Sequence, residues 1–168
     1  METQEITPVI MTVSEMEEYR KDPKNIAQLF MFTFVEDNNY DHNEVIAKIG
    51  NGHTETIWKG KVWLKSNYDQ GMLYLKTEHF SIVFGSFSVN TVELYMLQVR
   101  DKGKGFGTIV MNQVLDVADS LGINVCLIPT PYQNKDDMGY QKFLRFWYAS
   151  FGFVGSSMSP TMTYKAKK

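Results

Sequence analysis

The chain has 168 residues, 43% hydrophobic and 21% charged, the composition of one ordinary globular domain spanning 1–168 rather than of a disordered segment. A single cysteine, Cys126, excludes an internal disulfide and a cysteine-based metal cluster. With 17 Lys and Arg against 19 Asp and Glu the formal net charge is −2, so a strongly basic nucleic-acid binder is not indicated.

The first residues are polar and acidic, and no apolar run approaches the ~18 residues of a membrane span, so a cytoplasmic protein is expected. Ser14-Glu15-Met16-Glu17 has capping-box spacing and predicts a short helix towards Asp22, stopped by Pro23. The apolar run from Ile26 to Val35 is a helix, or a helix followed by a strand; its periodicity does not separate the two. Glu36 to Asp41 is polar and predicts a loop. From Ile57 to Lys65 the period becomes two, as in a half-buried strand, with Gly60 interrupting it. Asn67 to Gly71 predicts a turn, and Met72–Lys76, Phe80–Val89 and Val92–Val99 predict strands. A helix follows over Thr108–Leu121, with Ile109, Val110, Val114, Leu115, Val117, Ala118 and Leu121 as its apolar stripe and Gly122 as its stop. Ile123 to Ile128 is a nearly all-apolar buried strand ended by Pro129. A helix over Met138–Ser150 and a strand over Met162–Lys165 complete the chain. Val92 to Ile128 therefore forms a βαβ unit, whose helical crossover implies a parallel pair of strands.

The stretch Lys102-Gly103-Lys104-Gly105-Phe106-Gly107-Thr108 lies between that strand and that helix. Glycines let the backbone turn sharply and leave N–H groups uncovered, and the helix start adds its own free N–H groups and the positive end of its dipole. Two lysines add charge. An anion site results, with phosphate the natural guest; the plainer alternative is a turn that only reverses the chain. No Walker loop is present, because no Gly-Lys-Ser/Thr triplet stands at the required interval. The dinucleotide fingerprint fails as well, with Thr108 at its third glycine.

The stretch resembles the acyl-CoA loop of the GNAT-type N-acetyltransferase superfamily, R/Q-x-x-G-x-G/A, with Lys102 at the first position and Gly105 and Gly107 at the glycines. Val92 to Val99 is similar to that family's fourth strand, and Tyr148-Ala149-Ser150-Phe151-Gly152-Phe153 to its Y-x-x-x-G-F. The resemblance covers roughly residues 90 to 165. It implies an α/β fold with a mixed, mostly antiparallel sheet, a splayed parallel pair at its centre, and helices on both faces. It also implies acetyl-CoA as co-substrate, with no metal. The pantetheine arm would bond to main-chain groups near Leu97 and Val99, and the diphosphate would sit on the N–H groups from Gly103 through Phe106 to Thr108, with Lys102 and Lys104 beside it. Gln141 stands where relatives carry a cofactor-contacting Asn.

Tyr148 matches the tyrosine that protonates the departing thiolate in many relatives, a task suited to a neutral phenol; otherwise it is a core aromatic. Glu93 falls where several relatives hold a glutamate base; otherwise it is a solvent-facing strand residue. Phe143, Phe146, Trp147 and Phe151 are expected in the core, and Asp116 and Asp119 on an exposed helix face. His42, His53 and His79 show no metal spacing and are expected in loops or at the surface. Cys126 is expected as an inert core thiol, which suits direct acetyl transfer to a primary amine in a ternary complex. The alternatives are a non-catalytic GNAT-like module that binds a protein or nucleic acid, and a user of a longer acyl-CoA. The acceptor, a small molecule or a protein amine, has no motif here, and relatives commonly pair as homodimers.

Overall fold

The structure, a computed structural model, describes residues 12, 14–15, 18, 26–49, 53–59, 62–63, 72–100, 103–129, 138–155 and 158–167. Among the described residues nine strands form one sheet: β1 (Val45–Ile49), β2 (His53–Lys59), β3 (Val62–Trp63), β4 (Met72–Lys76), β5 (Phe80–Ser88), β6 (Thr91–Val99), β7 (Asn124–Leu127), β8 (Val154–Gly155) and β9 (Met162–Tyr164). Three helices with described bounds accompany them, α1 (Ile26–Asp37), α2 (Phe106–Leu121) and α3 (Met138–Ser150), besides the helical residues Ser14, Glu15 and Glu18. The strand order is β3-β2-β1-β4-β5-β6-β7-β9-β8. Every pairing is antiparallel except β6 with β7, which α2 connects. This is the mixed, mostly antiparallel α/β architecture that the resemblance implies.

The run from Ile26 resolves as a helix with no following strand. Ile26, Ala27, Phe30, Met31, Phe32, Phe34 and Val35 are all buried, so α1 is sunk in the core on nearly every side. A helix that is apolar all round has no face to reveal its period. The helix also continues through Glu36 and Asp37, expected as loop. It stops because Asn39 takes a left-handed conformation (φ 58°) and the Tyr40 N–H returns to the Val35 carbonyl at 3.0 Å, a Schellman closure.

Helices α1 and α2 pack on each other, and α1 crosses β4, β5 and β6. Between them lies an aromatic cluster. Phe84 stands 4.9 Å from Phe30 and 5.8 Å from Phe34, ring centre to ring centre, and Tyr40 packs on Phe34 and Phe80. Each fully buried phenylalanine contributes about 1.5–3 kcal/mol by leaving water. The Tyr40 hydroxyl donates to Gln113 at 2.6 Å, tying the exit of α1 to α2. On the opposite face Ser81, Val83 and Cys126 are buried too, so the sheet centre is covered on both sides.

Several expectations change. The N-terminal capping box is Thr12 with Glu15: the Glu15 N–H donates to the Thr12 hydroxyl at 3.2 Å, and the Thr12 N–H to the Glu15 carboxylate at 3.4 Å. Ser14, expected as the cap, is itself helical; most of the helix expected towards Asp22 lies outside the described residues. Strand β1 was not anticipated, and β2 begins four residues before Ile57. The single strand expected from Ile57 to Lys65 is instead an antiparallel pair, in which Trp58 faces Trp63 and Lys59 faces Val62. His53 begins β2. Helix α2 starts two residues early, at Phe106, and Met111 takes the buried place expected for Ile109, which is half exposed. Phe143 and Phe146 are surface residues, the latter 78% exposed. The turn expected at Asn67–Gly71 lies outside the described residues.

Asp119, expected on an exposed face, holds the last strand to α2. Its carboxylate accepts the Tyr164 hydroxyl at 2.9 and 3.1 Å and the Lys167 N–H at 2.9 Å. Burial first, and then that bond to a carboxylate, push the Tyr164 phenol up to about 12 from 10.0. Because the folded state holds the proton more tightly than the unfolded chain, stability is complete below pH 10.0 and falls as pH rises towards about 12. Alkaline denaturation followed by circular dichroism should show this loss in the native sequence. Tyr164→Phe should be less stable at pH 7, by about 1.5–3 kcal/mol, and lack that alkaline component.

Candidate active site

The parallel pair is short. Thr91, Val92 and Glu93 face Asn124, Val125 and Cys126, after which β6 runs on to Val99 paired, among the described residues, only with β5. A bulge accompanies the divergence. On β5, Val83 faces Met96 and Phe84 faces Leu94, so Tyr95 has no opposite number. A bulged strand bends and twists more strongly. The extra residue also inverts the alternation: Val92 and Leu94 face the core before it, Leu97 and Val99 after it, and Tyr95 is exposed.

The Arg100 N–H donates to the His79 carbonyl at 2.8 Å, which fixes the direction of the main chain at this end. Hydrogen-bonding groups alternate along an antiparallel pair, so Gln98 points to β5 and the N–H and C=O of Val99 and Leu97 point to the open side. The two residues expected to offer main-chain groups therefore border the gap between β6 and β7.

At the mouth of that gap stands the glycine turn. Gly103 (φ 83°) and Gly105 (φ 78°) are left-handed and exposed, and a Cβ on either would meet nothing within 4 Å. Gly105 is the N-cap of α2 and no side chain caps it. The first intrahelical bond runs from the Ile109 N–H to the Gly105 carbonyl at 3.2 Å. The N–H groups of Phe106, Gly107 and Thr108 precede that bond, and such donors look outward from a helix start. The first turn of α2 carries no acidic residue, and Lys104 and Thr108 are exposed. Such an open cradle of donors at a positive helix end suits a diphosphate. Lys102 lies outside the described residues.

Gly107 lies where three elements come together. A Cβ there would lie 3.4 Å from the Trp147 ring and 3.8 Å from the Val99 side chain. The end of β6, the start of α2 and the last turns of α3 thus meet at one glycine. Tyr148 follows Trp147, half-buried, with its ring 5.0 Å from Trp147 and 5.8 Å from Phe153. Its carbonyl accepts the N–H groups of Phe151 and Phe153, which close α3 and place Gly152 (φ 105°) against the Tyr164 ring. Gln141 lies on α3, two turns before Tyr148.

Glu93 is half-buried at the closed end of the gap, on the sheet face away from α1 and α2, between Gly85 of β5 and Cys126 of β7. It stands six residues from Val99, about 20 Å along the strand. That span is comparable with the extended reach of a pantetheine arm. Burial, and secondarily the charge of Glu93, push the Cys126 thiol up to about 11, so it is protonated at neutral pH and is no nucleophile.

Sequence reasoning placed His79 outside the site, yet its imidazole lies flat on Phe106, centroids 4.3 Å apart and planes 10° from parallel. The β4–β5 turn that carries it is also tied to β6 by the Arg100 guanidinium, which donates to the Thr77 carbonyl and, at 2.5 Å, to the Ser81 hydroxyl. No local pattern announces this contact, since 27 positions separate His79 from Phe106.

Among the described residues no group of three or more His, Cys, Asp or Glu could hold a metal ion, and no helix is long and apolar enough to cross a membrane. No family model matches the chain, and no curated protein matches it. Two solved structures are similar in outline. One is the anti-CRISPR protein AcrVA5, with 24% identity, covering 56% of this chain and 99% of that one, at a TM-score of 0.46. The other is Ard1 from Thermoplasma volcanium, with 16% identity, covering 96% of this chain and 98% of that one, at a TM-score of 0.38.

Proposed function

We propose that the protein is an N-acetyltransferase that moves an acetyl group from acetyl-CoA to a primary amine by direct attack. The observation that carries this reading is the junction of an uncapped glycine turn with a half-unpaired strand. Anion donors at residues 103–108 and main-chain groups at Leu97 and Val99 lie along one path, as a ligand with a diphosphate and a long amide-bearing arm requires. The sequence resemblance assigns the same residues to that ligand. Bound there, the thioester supplies a carbonyl carbon open to attack by nitrogen.

Glu93 takes the proton that the amine nitrogen gives up as the C–N bond forms. Tyr148 donates its phenolic proton to sulfur as the C–S bond breaks, leaving an amide and a free thiol, and regains a proton from solvent. Thioester aminolysis is downhill, so the protein's main contribution is to hold the two reactants together. Cys126, buried and protonated, does not carry the acyl group.

The diphosphate seat is tested by Thr108→Glu. A glutamate at this third helical position suits the helix start, so the thermal midpoint should be unchanged or raised. The same carboxylate repels the coenzyme, and calorimetry should show acetyl-CoA affinity falling at least about tenfold. Wild-type affinity in this variant would exclude the seat. Tyr148→Phe should lower kcat by about a hundredfold with little change in acetyl-CoA affinity, measured by thiol release with a panel of amines. In Glu93→Gln the rate should drop by about a hundredfold with little change in acetyl-CoA affinity. An unchanged rate would remove Glu93 as the base. Coenzyme binding without thiol release for any amine would favour a binding module instead.

A further inference from the structure

We propose that His79 and Phe106 form a platform on which the adenine ring of the coenzyme stacks, so that the protein grips the nucleotide end as well as the arm. The inference rests on the acetyl-CoA reading and deepens it. Seated at residues 103–108, a diphosphate has two substituents that leave in different directions. The pantetheine arm enters the gap on the β7 side of β6. The nucleotide is left with the other side, towards β5, where the β4–β5 turn carries His79.

The His79–Phe106 pair differs from the aromatic contacts of the core. Those are tilted or edge-to-face, with interplanar angles such as 57° for Phe30–Phe84 and 83° for Phe34–Phe80, whereas the His79 and Phe106 planes are 10° apart. The His79 side chain remains 42% exposed although one ring face covers Phe106. A flat imidazole in that position extends a two-ring stack that a purine can lengthen to three. The platform is also prepared in advance. The His79 carbonyl accepts the Arg100 N–H, its own N–H donates to the Thr77 hydroxyl at 3.3 Å, and Thr77 is bonded to Phe80 and to the Arg100 guanidinium. A ring already held in place loses little freedom when a base lands on it. The charge environment is mixed, with Glu78 4.0 Å from the imidazole and Lys104 on the turn, which favours a neutral base stacked here over a phosphate.

The test uses the full chain, acetyl-CoA and two readouts: calorimetric affinity and the proton NMR signals of adenine H2 and H8. In the wild-type complex both signals should move upfield, as they do over an aromatic face. His79→Ala should weaken acetyl-CoA binding about tenfold and remove the upfield shift, and His79→Phe should restore both. Binding of 4′-phosphopantetheine, which lacks the base, should be the same in wild type and His79→Ala. A wild-type complex whose adenine signals do not move overturns the platform and leaves the acetyl-CoA reading standing. An equal loss of both ligands in His79→Ala overturns it too, since His79 would then only support the turn through Phe106. If the wild type binds no acetyl-CoA, both readings fall.

Discussion

Strand β6 cannot satisfy two neighbours at once, and the rest of the molecule is arranged around that conflict. Its pairing with β5 runs end to end only because Tyr95 is extruded, and its pairing with β7 ends at Glu93. Beyond that point the main-chain donors and acceptors on one edge have no strand to meet. A buried group of this kind costs about 1–3 kcal/mol if left unbonded, so the edge must face water or a ligand that bonds to it. Helix α2 leaves from the end of the same strand and brings its own unbonded N–H groups to the same opening. Two deficits of hydrogen bonding, created separately by sheet and helix geometry, are concentrated in one place.

The central elements were legible because their signals are local. Gly122, left-handed, ends α2 as expected, and the apolar runs of β4, β5 and β6 mark strands whose observed ends lie within one residue of those expected. Where several residue types served equally, legibility failed. Val45–Ile49 carries a lysine and an alanine in five positions and lacks a strand's alternation, so β1 went unnoticed. Thr12 and Ser14 both head a spacing that ends in glutamate, and only the hydrogen bonds choose between them. Phe143 and Phe146 share a helix with Trp147, but aromatic character does not record which face of α3 meets the body of the protein.

The candidate site divides in the same way. Its linear part, the glycine turn and the residues around Tyr148, could be read from the chain. The contacts that assemble it could not. Gly107 resembles a second anion-binding glycine in the sequence, and only the structure shows Trp147 and Val99 beside it. Glu93 reads as a strand carboxylate, and only the register shows it flanked by Gly85 and Cys126. Asp119 reads as a solvated charge in the sequence because its partners lie 45 and 48 positions away.

The perimeter of the sheet completes the picture. Among the described strands, β3 and β8 stand at the two ends of its order. The unladdered edge of β6 lies instead at the middle of that order, beyond the point where β7 stops pairing with it. A linear molecule bearing amide groups can bond to such an edge much as an added strand would.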